Sequence, residues 1–173
     1  DAYLLLIVDS FKRDNLDRVN NYLIKASMLE NQNNFEKAII ENLKQYIFVF
    51  QEKKILEDKK KYGKLSLISD AFQRCYLGDI KTDSYFLNLI NNNESNYTRY
   101  IHFYLNFLIE NNRIEDAKKI TKDIEYINST LLLSQSKSLI ENNDEQKITN
   151  FFSCKNHNDL ISEFLFLISN LYS

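Results

Sequence analysis

At 173 residues and a net charge of −2, the chain is long enough for one ordinary core and too evenly charged for a general attraction to nucleic acid or to an anionic membrane surface. With no proline and only two glycines among 44% hydrophobic residues, it lacks the punctuation that strands and hairpin turns need, so an all-α fold is expected. The longest apolar runs, at 2–8 and 164–168, fall far short of the roughly 20 residues that cross a bilayer, which excludes a membrane-spanning helix.

In chain order, residues 1–11 predict an apolar helix, and Lys12-Arg13-Asp14-Asn15 the turn into a second one carrying Leu16, Val19, Leu23 and Ala26. The abrupt apolar opening leads us to expect one helical-repeat domain over residues 1–173, cut from a longer repeat protein. No leader pattern marks a compartment, which stays open with the cytoplasm favoured. After the polar knot at 31–34, a helical pattern starts at Phe35 and holds Ala38, Ile39, Leu43, Tyr46, Ile47 and Phe50 before dissolving into the charged run at 57–61. Whether 35–62 forms one helix or two is open, and Gly63 is expected as its left-handed C-cap.

Leu65, Ile68, Phe72 and Cys75 mark another helix, ended by Gly78-Asp79, and Thr82 or Asp83 caps the next, over 85–90. The polar stretch 91–96 cannot bury apolar surface and predicts a flexible loop. Residues 97–127 then predict two helices folded back on each other about the turn Glu110-Asn111-Asn112-Arg113. The first is apolar almost all round, save one narrow track of Arg99, His102 and Asn106 spaced three and four apart. The second carries a single apolar stripe through Ile114, Ala117, Ile120, Thr121 and Ile124. An inner helix of that kind needs cover on several sides, and stacked copies supply it.

Ser129 or Thr130 can cap a helix through Leu133 and Ile140, followed by the turn at 141–144 and a short helix with Ile148, Phe151 and Phe152. Asn158 or Asp159 caps a last helix, Leu160 to Tyr172, apolar on most sides. Further repeats, or a second copy in a homodimer, are expected to cover it.

Leu108-Ile109-Glu110-Asn111-Asn112 recurs as Leu139-Ile140-Glu141-Asn142-Asn143, 31 residues on, and the residues following turns, Leu16, Ile80 and Ile114, lie 64 and 34 apart. Two helices per unit at a period in the low thirties resemble the tetratricopeptide repeat family. In the clearest unit Ile101, Tyr104, Leu105 and Leu108 fall where that family's first helix packs, Ile114 follows the turn, and Ala117 takes the small residue that lets the second helix approach. Leu105 stands where the family has a glycine, and no unit has its closing proline. The resemblance implies a right-handed superhelical stack of antiparallel hairpins with an inner groove that holds a protein or peptide. It also places Arg99, His102 and Asn106 on that groove.

No cluster of acid, base and nucleophile converges, so no enzyme is expected. Cys154 and His157 have half the spacing of a zinc site without a second pair, so no metal or other cofactor is expected, and Cys75 and Cys154 read as reduced, packed thiols. Lysines 53, 54, 59, 60, 61 and 64, interleaved with acids, read as a solvated face. The expected function is a non-catalytic scaffold that grips a protein or peptide ligand through Arg99, His102 and Asn106. The alternative is an assembly arm that dimerises, or docks a following domain, through Leu160–Tyr172.

Overall fold

The structure, a computed structural model, describes residues 2–30, 32–57, 59–91, 98–124 and 130–171. Nine α-helices and one 3-10 helix account for the regular structure among them, with no strand. In order these are α1 (Ala2–Lys12), α2 (Leu16–Ser27), α3 (Asn34–Glu52), α4 (Gly63–Leu77), α5 (Thr82–Asn91), α6 (Thr98–Glu110), α7 (Ile114–Asp123), α8 (Leu131–Glu141), the 3-10 turn Glu145–Asn150 and α9 (His157–Leu171).

Four of the turns share one hydrogen-bond geometry. At Asp14, Gly78, Asn112 and Asn143 the backbone is left-handed, with φ of 54°, 63°, 57° and 55°. The next residue's N–H reaches back five positions, as in Asn15 to Ser10 at 3.0 Å, Asp79 to Arg74 at 3.0 Å, Arg113 to Leu108 at 2.8 Å and Asp144 to Leu139 at 2.8 Å. This is the helix-ending motif that glycine and asparagine tolerate best, which is why polar Asn and Asp recur where the helices reverse. The turns lie 64, 34 and 31 residues apart, the spacing that the sequence pattern carries.

The missing turn is informative. Halfway between positions 14 and 78 the chain passes through Tyr46, buried in the unbroken 19-residue α3. A full capping box starts that helix: Asn33 accepts from Phe35 and Glu36 N–H, and the Glu36 carboxylate accepts from Asn33 N–H. It ends at Lys53, left-handed at φ 53°, so the pattern from Phe35 is one helix that stops at Glu52, and the described residues of 53–62 are irregular. Gly63, expected as a C-cap, instead opens α4 with a left-handed φ of 55°. Ile80, the apolar residue that follows the turn at Gly78, is 94% exposed. The predicted loop at 91–96 falls mostly, and the predicted extension of α7 to 127 partly, outside the described residues.

From α1 to α8 each helix packs on its chain neighbours, α9 packs on α4, and α6 touches α5, α7, α8 and the 3-10 turn. Tyr100, Ile101, Leu105, Leu108 and Ile109 on α6 are each no more than 1% exposed, as a helix apolar on most faces requires. Ala117 on α7 is fully buried where that helix meets its partner. The core's aromatic centre is Phe72 on α4, with Phe86, Tyr100, Phe103 and Phe152 at ring distances of 5.9, 6.0, 5.3 and 5.7 Å, all edge-on. Phe164 on α9 reaches Tyr46 on α3 at 5.6 Å, so the last helix folds back against the middle of the chain. Leu160, Ile161, Phe164 and Ile168 are buried there, and much of the apolar surface for which the sequence demanded an outside partner is covered from within.

Candidate functional site

The polar track of α6 holds three later parts of the chain. Arg99 Nη2 donates to Glu163 Oε2 on α9 at 2.6 Å, and its guanidinium lies 4.2 Å from the Phe166 ring and 5.4 Å from that of Phe103. One turn on, His102 Nδ1 meets the Ser136 hydroxyl of α8 at 2.9 Å. Ser136 already donates to the Leu132 carbonyl at 2.8 Å, so its oxygen accepts from His102 and the imidazole carries its proton on Nδ1. Asn106 Nδ2 donates to the Phe152 carbonyl. The spacing of three and four that puts these side chains on one face thus aims them at three different elements.

Burial sets their charge states. His102 is 4% exposed, and desolvation, aided by the nearby Arg99 charge, pushes its pKa down to about 4, so the ring is neutral at pH 7. Desolvation pushes the Glu163 carboxyl up to about 7 although Arg99 pulls it down. Asn106 is wholly buried, and its Oδ1 has no hydrogen-bond partner. Of the three residues expected to face a ligand, His102 and Asn106 therefore lie inside, spent on contacts within the chain. Arg99 alone keeps a third of its side chain in solvent.

Beside Arg99 opens a cleft of about 320 Å³ between α6, α8, the turn after the 3-10 helix, and α9. Phe151, Phe166 and Leu132 edge it with exposures of 76%, 45% and 37%. The sequence pattern places Phe151 on a short helix and Phe166 on a helix apolar on most faces, so neither stands out as a site residue; Phe151 instead lies in the turn just after Asn150. Glu163 and Ser136 were missed for a different reason: they lie 64 and 34 positions from their α6 partners.

Cys75 at the end of α4 and Cys154 after the 3-10 turn form a disulfide with a Cα separation of 5.6 Å, which corrects their reading as free thiols. They are packed as expected, 1% and 0% exposed. Joined to each other, they offer neither a thiolate nucleophile nor a metal donor. His157 instead meets Asp14 at 3.0 Å and lies 5.6 Å from the Phe50 ring. Among the described residues no helix is long and apolar enough to cross a membrane.

No family model, curated protein or solved structure matches this chain.

Proposed function

We propose that the chain is a non-catalytic scaffold of stacked helix hairpins that binds a protein or peptide segment at the Arg99 cleft. The observation that carries this reading is the cleft itself: an arginine with a third of its side chain in solvent, held by Glu163 and flanked by the exposed Phe151, Phe166 and Leu132. Apolar side chains grouped round a fixed charge are the usual make-up of a recognition site. An incoming apolar side chain would pack on Phe151 and Phe166, while a carboxylate would find the solvent face of Arg99. The four equivalent turns and the resemblance to tetratricopeptide repeats favour a right-handed superhelical stack as the frame. His102, which lines the cleft, and the buried Asn106 then fix its walls. The reading as an assembly arm has less behind it, because α9 spends Leu160, Ile161, Phe164 and Ile168 on the chain's own core.

The test is to pan a displayed random-peptide library against the folded chain and against Phe151→Ser/Phe166→Ser, two exposed substitutions that leave the core intact. Enriched peptides that bind the parent and not the double variant support the cleft. No enrichment, or binding that the double variant keeps, removes it.

A further inference from the structure

The lysines spread over 53–64 do not behave alike in the fold. Lys59 turns inward and ion-pairs with Asp70, each side chain only 10% exposed. Lys53 and Lys54 are exposed, as expected of a solvated face, and border an open cleft of about 860 Å³. It lies where α3 stops: left-handed Lys53 takes the chain out of the helix, and 54–57 then shares the cleft with the last turn of α4 and the 79–81 turn. Its apolar part is Phe48, Ile55, Leu56 and Leu77, all half-buried.

The charges round the cleft do not cancel. Arg74 and Asp79 neutralise each other at 2.7 Å. Lys53 spends its ammonium on the Tyr76 hydroxyl and ring, and Lys54 lies 5.6 Å from the Phe48 ring, but neither of them nor Lys81 has a carboxylate partner among the described residues. Against these three lysines stand Glu57 and the C-terminal ends of α3 and α4, each worth about half a negative charge, so about one positive charge remains. A positive, partly apolar cleft of this size matches a ligand that is acidic and apolar at once. A nucleic-acid strand fits it less well: the basic surface is short, and Phe48, the one phenylalanine in the cleft, is half-buried near Lys54 and presents no open stacking face.

We propose that this second cleft binds a short acidic, amphipathic peptide segment, with its apolar side chains on Leu56 and Leu77 and its carboxylates on Lys54 and Lys81. The site is separate from the Arg99 cleft and stands or falls without it.

The experiment uses the whole chain and an array of synthetic peptides in which two or three Leu or Phe residues are flanked by Glu, each paired with its Gln counterpart. Binding is read by fluorescence anisotropy. Acidic peptides bind, Gln counterparts bind about tenfold more weakly or worse, and Lys54→Glu/Lys81→Glu, at side chains that are exposed and make no ion pair among the described residues, lowers affinity by about tenfold or more with an unchanged circular dichroism spectrum. Leu56→Ser weakens the same peptides, and Phe151→Ser/Phe166→Ser leaves them unaffected. Binding that survives the lysine reversal, equal binding of Gln peptides, or no binding to any peptide in the array overturns the proposal. So does tighter, Lys54- and Lys81-dependent binding of oligothymidylate or of phosphatidylserine vesicles.

Discussion

Arg99 on α6 and Glu163 on α9, 64 positions apart, meet at 2.6 Å with the glutamate side chain 5% exposed and the arginine 33% exposed. The asymmetry matters: the arginine stays hydrated on one side, while the glutamate has exchanged nearly all its water for one guanidinium. Three positions along the same face, His102 has lost its water too and meets the Ser136 hydroxyl. An acid held partly protonated and a base held neutral thus sit side by side under one cleft.

Their linkages to folding have opposite signs. Glu163 rises from 4.5 to about 7 on folding, so its protonated form stabilises the fold at low pH and that contribution is lost as pH rises between those values. His102 falls from 6.5 to about 4, so its contribution is present above 6.5 and is lost as pH falls toward 4. Between 4.5 and 6.5 the two oppose each other. Relative to the parent, Glu163→Gln should make stability climb more steeply with pH in that window, and His102→Asn, which keeps a donor toward Ser136, should make it fall, each by up to about 1.4 kcal/mol per pH unit. Urea unfolding at a series of pH values measures both; identical profiles for parent and variants would show that neither group is held as described.

The reversals were legible in the sequence because the left-handed turn has a local chemical signature. Asn111-Asn112 and Asn142-Asn143 announce it; α6 and α7 fall on either side of the first as expected, whereas the short helix expected through Phe151 and Phe152 after the second is a 3-10 turn that stops at Asn150. The end of α3 was not legible: Lys53 is a poor left-handed residue, and no Gly or Asn marks the break at Glu52. The polar track was visible as a face, since helical spacing fixes which side chains point the same way. What covers that face was not, because Ser136, Phe152 and Glu163 arrive from 34 to 64 positions further on. The disulfide is the same case: burial of Cys75 and Cys154 follows from their apolar neighbours, but their pairing needs α4 and the 151–154 turn to be adjacent.

That pairing closes a loop of 79 residues. In the chain-entropy account, closing such a loop in the unfolded state is worth about 4 to 5 kcal/mol, and measured losses usually fall at 2–5 kcal/mol. Cys75→Ala/Cys154→Ala should lower the urea midpoint accordingly, and reductant should do so for the parent while leaving the double variant unchanged. A parent insensitive to reductant under conditions that open the fold would mean the bond contributes nothing.

Asn106 is a finer probe of the same junction. Asn106→Leu removes the donor to the Phe152 carbonyl and also the unpartnered Oδ1, so the cost of an orphaned carbonyl is partly offset and about 1–2 kcal/mol is expected. Asn106→Ala adds a cavity at a wholly buried site and should cost more than the leucine variant. Equal costs for leucine and alanine would mean that the cavity adds nothing and that the bond to Phe152 carries the whole effect.

The four left-handed turns should be interchangeable in their chemistry, and Gly78 tests this without interference from packing. A methyl group built on Gly78 meets nothing within 4 Å, so any cost of substitution there comes from the backbone at φ 63°. Gly78→Ala should destabilise by about 1 kcal/mol, because an alanine resists that conformation. Gly78→Asn should cost less than the alanine variant, since Asn112 and Asn143 hold the same geometry at 57° and 55°. Thermal unfolding of the two variants side by side decides it. Equal losses for Ala and Asn would mean that the recurring asparagines are not selected by the backbone they share, and the repeat spacing of the turns would lose its physical basis.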